Sequence, residues 1–308
     1  MKIAYCIICH RNTNILRTSI KTLSSDNDVY LHVDKKANIV DFEEYQHNVS
    51  YIKERVDVRW GGYSQIESML VLLNEARKKD YDYICLLSGD DLPLKSSNKI
   101  KEIFEKNRGK EFIGIQKNFD KNQLEDRLKY EHSPLSLKKN KNFFEEKIIT
   151  MQNKLKLTKL NKYYKLLPSL YKGANWFCIS RELTNYIFEY LEENRWYKSA
   201  FEKSCCGDEA FFQTIVMNSD YKDRIYNYDI ESDDNRMALR YIDWVSGPEY
   251  PKILDEDDLK NIKNSNCIFG RKFKETLDID KYKRKLNIEF IPHGTRKTKP
   301  NLKKEPCS

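Results

Sequence analysis

Short apolar runs alternate with helical patterns through the first hundred residues. The apolar runs are KIAYCIICH, VYLHVD and YDYICLLSG, and helical spacing of apolar positions follows near residues 14–23, from Ser64 onward and near residues 98–107. Alternation of this kind predicts an α/β fold with a mostly parallel central sheet flanked by helices. Ligands in such folds bind at the carboxyl ends of the strands.

Polar residues follow the predicted strands at that edge of the sheet. His10 follows the first apolar run, His32 and Asp34 end the second, and Asp90 and Asp91 follow the third. Because parallel strands end at the same edge, we expect these five side chains to lie near one ligand site.

The predicted second helix has a marked start. Ser64 and Glu67 match the S-x-x-E pattern of a capping box, which predicts a helix that begins at Ser64. Gly61 and Gly62 precede it, and glycines make such a loop conformationally free and allow a ligand to approach the backbone.

The composition changes in the middle of the chain. Between about residues 118 and 165 it shifts to Lys and Asn, and one helix is predicted there from apolar residues at helical spacing: Phe144, Ile148, Met151 and Leu155. We interpret this segment as an inserted helical excursion, the kind of segment in which a fold acquires its specificity, and its composition is more typical of a variable segment than of a catalytic one. A second ordered block follows, with strands at KGANWFCISR, LRYIDW and CIFGRKF and helices at ELTNYIFEYLEEN and DEAFFQTIVMNS.

The rest of the chain suggests one domain and a tail. No Pro/Gly/Ser-rich linker divides residues 1–285, so a single domain is predicted, followed by a basic, disordered tail at 286–308.

The 308 residues carry 55 Lys+Arg against 47 Asp+Glu, a net charge of +8. This excess suits a phosphate-bearing ligand or an anionic membrane surface. Nucleic acid is not expected as a partner, because no zinc-finger spacing, RNP signature or base-reading helix is present.

Two further patterns bear on location. No signal peptide pattern and no apolar stretch of ~18 residues is present, so we expect a cytoplasmic protein that contacts the inner face of the membrane through its tail. The eight cysteines are expected to be reduced thiols. Cys6 and Cys9 form a C-x-x-C, but on a strand they point to opposite faces, which disfavours a redox or zinc pair.

The segment GDEAFF places Asp208 and Glu209 at the predicted start of an apolar helix. Carboxylates are favoured there by the helix dipole, so capping explains one of them. The second could act as a general base, although spacing alone favours capping over catalysis.

Arg240 in LRYIDW and Lys272 in GRKF lie on predicted strands. Such cations usually face water, but two that converge would hold a diphosphate without a metal. Trp176 and Trp60 are either core residues or flat faces for a ligand.

Asp90 and Asp91 admit three interpretations. Acids at a strand end can hold a divalent cation that bridges phosphates, but adjacent side chains diverge. Ser-Gly-Asp-Asp before Leu-Pro is also typical of a turn. We favour hydrogen bonding to a substrate, then a turn, then a metal.

Seven segments in order resemble the core-2/I-branching glycosyltransferases, the β-1,6-N-acetylglucosaminyltransferases and their xylosyltransferase relatives. The segments are YLHVDKK, VRWGGYSQIESMLVLL, YDYICLLSGDDLPLKS, KGANWFCISRE, GDEAFFQTI, LRYIDWVSG and CIFGRKF. The resemblance covers most of residues 1–280. It departs at Gly270, where the family commonly has alanine.

The resemblance implies a GT-A-type fold and an inverting transfer from a UDP-sugar, most readily UDP-GlcNAc, without a metal or other cofactor. It implies Glu209 as the catalytic base and Arg240 and Lys272 as the cations that replace a metal. It places the remaining expected residues on two sides of the site. His10, His32, Asp34, Asp90 and Asp91 would bind the donor, and Trp176 and Asp208 the acceptor.

The expected acceptor is a glycan, with a lipid-linked form as one candidate, and a bacterial-type enzyme of surface polysaccharide synthesis is favoured. Three alternatives stay open: a xylosyltransferase, a metal-dependent transferase that uses Asp90 or Asp91, and a non-enzymatic module that binds anionic ligands.

Overall fold

The computed structural model describes residues 1–42, 44–45, 48–133, 135, 137, 142–145, 147, 151 and 159–288. Its central sheet has five strands in the order β3-β2-β1-β4-β6. They are β1 (Ile3–Cys9), β2 (Asp28–Val33), β3 (Val49–Tyr51), β4 (Tyr83–Ser88) and β6 (Cys178–Ser180). All neighbours pair in parallel except β6, which is antiparallel to β4. The predicted α/β fold with a mostly parallel sheet flanked by helices is therefore confirmed.

Helices cover both faces of this sheet. They include α1 (Asn14–Leu23), α2 (Tyr63–Ala76) and α3 (Ser97–Lys106). Alternate residues of β1 belong to different cores, because strand side chains point alternately to opposite faces. Ala4 packs in the cluster that contains Ile66 and Met69 of α2, whereas Tyr5 packs in the cluster that contains Leu16 of α1.

The start of α2 differs from the prediction. Its N-cap is Gly62, and no side chain caps it, so the S-x-x-E capping box is not formed. The Ser64 hydroxyl instead accepts a hydrogen bond from the backbone N–H of Arg59, at 2.7 Å. Gly61 has φ of +70°, a conformation that glycine adopts without strain. The loop before α2 is therefore closed by its own side chains.

The remainder of the chain adds seven described helices and a small sheet. The helices are α4 (Lys121–Lys129), α5 (Arg181–Glu193), α6 (Arg195–Phe201), α7 (Asp208–Met217), α8 (Asp234–Met237), α9 (Leu259–Asn264) and α10 (Ile279–Leu286). Short 3-10 turns occur at Ile39–Phe42, Tyr164–Leu166 and Asp220–Arg224. The small sheet has the order β5-β8-β7. Its strands are β5 (Leu92–Pro93), β7 (Arg240–Ile242) and β8 (Phe269–Arg271). The predicted strands at LRYIDW and CIFGRKF thus form, and that at KGANWFCISR contracts to β6.

The predicted insertion and tail are only partly described. Within 118–165 the described residues contain α4, whereas Ile148 and Leu155 of the predicted helix lie outside them. Phe144 and Met151 are exposed, at 75% and 55%. Residues 289–308 of the predicted tail also lie outside the described part. Among the described residues, no helix has the length and apolarity needed to span a membrane.

Candidate active site

The turn after β4 packs against the end of β1. The backbone N–H of Gly89 donates to the carbonyl of Ile8, at 2.8 Å. A Cβ at Gly89 would lie 3.0 Å from the Cβ of Cys9, tighter than ordinary packing allows. Glycine therefore lets the β4 turn and the β1 end meet at the carboxyl edge of the sheet.

Asp91 closes the turn that follows β4. Its side chain is buried, and it accepts hydrogen bonds from the backbone N–H of Ser88, at 3.0 Å, and from the Ser88 hydroxyl, at 2.7 Å. The turn interpretation, which we ranked second, fits this residue. Asp90 is more accessible, and its Oδ2 lies 3.2 Å from Nζ of Lys272.

Two cations at the end of β8 face these acids. Besides Lys272, Arg271 lies there, with its Nη1 3.5 Å from Oδ1 of Asp91. The Arg271 guanidinium also lies over the ring of Trp176, 4.6 Å from its centroid. The structure thus brings Lys272, Asp90, Asp91 and Trp176 together and adds Arg271, which the sequence analysis missed although it neighbours Lys272.

Arg240 does not join this group. It is 1% exposed, and its Nη2 donates to the carbonyls of Leu86 and Phe177, at 3.1 and 3.3 Å. Its guanidinium lies over the ring of Phe269, so it connects the small sheet to the central one. The predicted convergence of Arg240 and Lys272 on a diphosphate is not seen here, because the Arg240 side chain is buried between the two sheets.

An open cleft of about 420 Å³ lies at the ends of β1 and β2. Its wall consists of His10, Asp34, Lys36, Ala37, Val58, Trp60 and Gln65. Lys36 Nζ lies 3.1 Å from Oδ2 of Asp34 and 2.6 Å from Oδ1 of Asp57. His10 and Asp34 thus share one cleft, and Trp60, which is 57% exposed, offers it a flat aromatic face.

His32 lies behind that cleft rather than in it. It is fully buried, and its Nε2 accepts a hydrogen bond from the backbone N–H of Val56, at 3.0 Å. Burial lowers the pKa of His32 to about 4, so the ring is neutral at physiological pH. His32 was expected to contact a donor, but in the structure it has a structural role. Its hydrogen bond with Val56 fixes the segment that leads to Val58.

Asp208 links the cleft to the Trp176 segment. It is the first residue of α7, whose N-cap is Gly207, so Asp208 does not cap the helix as expected. Its Oδ2 accepts hydrogen bonds from Nε2 of Gln65, at 3.2 Å, and from Nδ2 of Asn175. Burial, together with the nearby charge of Glu209, raises the pKa of Asp208 to about 7.

Glu209 is held at one oxygen by two cations. Its Oε2 accepts a hydrogen bond from Nη1 of Arg127, at 2.9 Å, and lies 3.4 Å from Nζ of Lys172. The Glu209 side chain is 36% exposed. Among the described residues, its Oε1 has no hydrogen-bond partner. Within the part of the chain that the structure describes, one carboxylate oxygen of Glu209 is therefore available to a ligand.

The described residues contain no group of three or more His, Cys, Asp or Glu side chains arranged to hold a metal ion. The acidic side chains of the site are instead distributed over the β4 turn, the cleft and the start of α7. Asp90 and Glu209 each face basic side chains.

Comparison with known proteins decides the family. The model of the Core-2/I-Branching enzyme family matches residues 3–263 of this chain. The chain belongs to that family. The resemblance to this family is confirmed, and with it the prediction that the chain is a member of an enzyme family. Six of the seven sequence segments lie inside the matched residues, whereas CIFGRKF, at residues 267–273, lies outside them.

Curated relatives of this core-2/I-branching enzyme are named xylosyltransferases. A xylosyltransferase of Ciona intestinalis is 23% identical over 90% of this chain and 33% of its own length. Xylosyltransferase sqv-6 of Caenorhabditis elegans is 24% identical over 82% of this chain and 32% of its own length. The chain therefore spans about a third of the length of these relatives.

Two solved structures have a distant likeness to the chain. Mouse xyloside xylosyltransferase 1 in its apo form is 12% identical, with a TM-score of 0.30, over 70% of this chain and 82% of that one. S. aureus TarS is 12% identical, with a TM-score of 0.27, over 38% of this chain and 21% of that one.

Proposed function

We propose that this chain transfers a sugar from a UDP-sugar to a hydroxyl of an acceptor glycan, with inversion at the anomeric carbon and without a metal ion. The observation that carries the proposal is Glu209 in a member of this family: one oxygen is held by two cations and the other is unpartnered among the described residues. That geometry suits a general base, which needs a fixed carboxylate with one open oxygen.

The cleft suits the nucleotide part of the donor. Its volume of about 420 Å³ falls in the range of ligand pockets, roughly 300–1,000 Å³. Trp60 provides a face on which a base can stack, and Asp34 and His10 provide hydrogen-bonding groups. The cleft lies at the carboxyl ends of parallel strands, where such folds bind ligands.

The cations at the end of β8 suit the diphosphate. Lys272 has an accessible side chain, at 41%, and would move from Asp90 to a phosphate oxygen. Arg271 is fixed on Trp176 and adds a second positive charge. Two cations can stabilise the charge that develops on a leaving diphosphate, a task that a divalent ion performs in other enzymes. Asp90 and Asp91 already face Lys272 and Arg271, which supports a metal-free reaction.

The chemical step then follows from these positions. Oε1 of Glu209 takes the proton from an acceptor hydroxyl as that oxygen attacks the anomeric carbon from the face opposite the diphosphate. The new carbon–oxygen bond forms as the bond to the β-phosphate oxygen breaks, and UDP leaves with the electron pair. An α-linked donor gives a β-linked product.

The donor sugar has two leading candidates. The resemblance favours UDP-GlcNAc, and the names of the curated relatives make UDP-xylose the second candidate. UDP release from a panel of UDP-sugars, in the presence of a glycan acceptor mixture, separates the two. Each sugar is assayed with excess EDTA and with added manganese.

Turnover of one UDP-sugar that survives EDTA is the expected result and names the donor. Turnover only with manganese would contradict the metal-free reaction and return Asp90 to metal ligation. Salt-sensitive binding of anionic ligands with no UDP release and no stabilisation by UDP would favour the non-enzymatic module.

From the basic segment at 293–308 we propose that the enzyme is cytoplasmic and contacts the inner face of the membrane. The proposed acceptor there is a lipid-linked glycan of surface polysaccharide synthesis. Deletion of residues 293–308 should weaken sedimentation with vesicles that contain anionic lipid and leave UDP release unchanged. Equal binding of both proteins to such vesicles would contradict this role.

A further inference from the structure

Helix α4 lies inside the segment interpreted as a specificity insertion, yet its end is fixed against the candidate active site. The backbone N–H of Cys205 donates to the carbonyl of Arg127, at 3.1 Å. Nδ2 of Asn161 donates to the carbonyls of Leu128 and Ala200, at 2.8 and 2.7 Å. These contacts join α4 to two distant segments, including the one that leads into Glu209.

With α4 fixed in this way, the Arg127 side chain contacts Glu209. Its Nη1 donates to Oε2 of Glu209, at 2.9 Å, and Nη2 lies 3.4 Å from Oε1 of Gln123. Lys172 approaches the same Oε2, at 3.4 Å, and the next residue, Gly173, donates its N–H to the carbonyl of Glu209, at 2.9 Å. Arg127 and Lys172 are each 23% exposed at the side chain, so water screens the contacts only in part.

We propose that Arg127, supported by Lys172, is a positioning residue that holds Oε2 of Glu209 so that Oε1 faces the acceptor hydroxyl. The inference rests on the proposed role of Glu209 as the base. It makes the insertion helix part of the catalytic arrangement, because α4 supplies the nearer of the two described cations that contact the base.

The arrangement has an electrostatic consequence. A nearby cation favours the ionised form of a carboxylate, and a base must be ionised to act. Other groups oppose this effect, since the Asp208 carboxyl and the Cys206 thiol also interact electrostatically with Glu209. Loss of Arg127 should therefore move the acidic limb of the pH–rate profile to higher pH.

The test measures UDP release against pH for the wild type, Arg127→Ala and Arg127→Lys. The control is Lys129→Ala, which removes the same charge from the same helix at a side chain that lies over Tyr130. We expect Arg127→Ala to shift the acidic limb upward by about one pH unit and to lower the plateau about 10-fold or more. Arg127→Lys should recover most of the shift, and Lys129→Ala should match the wild type.

A second variant covers the case in which Arg127→Ala does not fold. Lys172→Ala leaves every anchor of α4 in place and should shift the limb in the same direction by a smaller amount, because its contact is longer. Profiles of Arg127→Ala or Lys172→Ala that coincide with Lys129→Ala would overturn the inference.

The wild-type protein separates this inference from the function on which it rests. If the wild type releases UDP and the variants show no shift of the acidic limb, the positioning role of Arg127 is contradicted and the proposed function is not. A wild type that releases no UDP from any sugar of the panel, with no stabilisation by UDP, counts against the proposed function and removes the basis of the inference.

Discussion

Asp90–Asp91 and Asp208–Glu209 are both adjacent acidic pairs in which one carboxylate is buried and the other reaches a cation. Asp91 and Asp208 are 1% and 3% exposed, whereas Asp90 contacts Lys272 and Glu209 contacts Arg127. Each pair therefore combines an anchor with an accessible carboxylate beside a basic side chain.

The two anchors differ in where their partners come from. Asp91 accepts its two hydrogen bonds from Ser88, three residues earlier, within its own turn, and Arg271 adds an ion pair at 3.5 Å. Asp208 accepts its hydrogen bonds from Gln65 and Asn175, which are 143 and 33 residues away in the chain. The hydrogen bonds of the first anchor thus form within a local turn, whereas those of the second depend on the packing of separate segments. Changes at the two pairs should consequently affect different properties.

The largest expected effect is on the chemical step. Glu209→Gln keeps the shape of the side chain but removes the base, so turnover should fall by about 10²–10⁴-fold. UDP affinity should stay close to that of the wild type, since the cations of the β8 end are untouched. Kinetics of UDP release and UDP titration by calorimetry measure the two quantities. Near-normal turnover would exclude Glu209 as the base.

The matching change at the other pair should affect binding. Lys272→Ala removes a cation proposed for the diphosphate, and UDP affinity should fall roughly 10- to 100-fold, the usual value for a charged hydrogen bond. Lys274→Ala is the control, because this exposed residue lies on the same segment with its side chain outside the Asp90 contact. Equal UDP affinity of the two variants would argue against a role of Lys272 in the clamp.

A smaller effect, on the free energy of unfolding, should distinguish the buried Asp91 from the more accessible Asp90. Asp91→Ala leaves the N–H and hydroxyl of Ser88 without their acceptor, so the free energy of unfolding should fall by about 1–3 kcal/mol. Asp90→Ala removes a partly exposed ion pair and should cost less than about 1 kcal/mol. Urea denaturation of both variants checks the order, and equal losses would contradict it.

A further expected effect is a pH dependence of stability that belongs to Asp208. Its pKa is raised to about 7 in the folded protein, so the folded state binds a proton more tightly than the unfolded state. Stability is therefore present below the unfolded pKa and is lost as pH rises from about 4 to about 7, at no more than about 1.4 kcal/mol per pH unit.

Asp208→Asn should flatten this part of the stability profile. The measurement is the difference between wild type and variant in the free energy of unfolding across that interval. The difference is needed because burial also raises the pKa of Glu111 to about 7, and Glu111 is present in both proteins. Parallel profiles of the two proteins would show that the Asp208 carboxyl does not contribute.

Local patterns were sufficient for most of the described elements and for the position of several candidate residues at strand ends. The alternation of apolar runs predicted β1, β2 and β4, and the polar residues after them predicted the edge at which Asp34 and Asp90 lie. The order of the short motifs predicted the family. The capping box at Ser64 was wrong, because the Ser64 hydroxyl binds the preceding loop instead of the helix N-terminus.

Side-chain direction and long-range partners were not available from the same patterns. Arg240 was expected to lie beside Lys272, but the side chain is buried between two sheets, and strand assignment alone does not say which face is covered. Arg127 carried no local signal, since it lies among other charged residues in sequence. Lys172 begins the KGANWFCISR segment, but no local pattern there indicates a contact with Glu209.

The sequence by itself determined the strand–helix order, the family and the placement of Asp90, Asp91, Asp208 and Glu209 at element ends, because these depend on periodicity and on neighbours within a few residues. Only the tertiary structure decided which carboxylates are anchors, which cations face them and that α4 reaches Glu209. Those features depend on contacts between segments tens of residues apart, and such contacts exist only after the helices and sheets have packed.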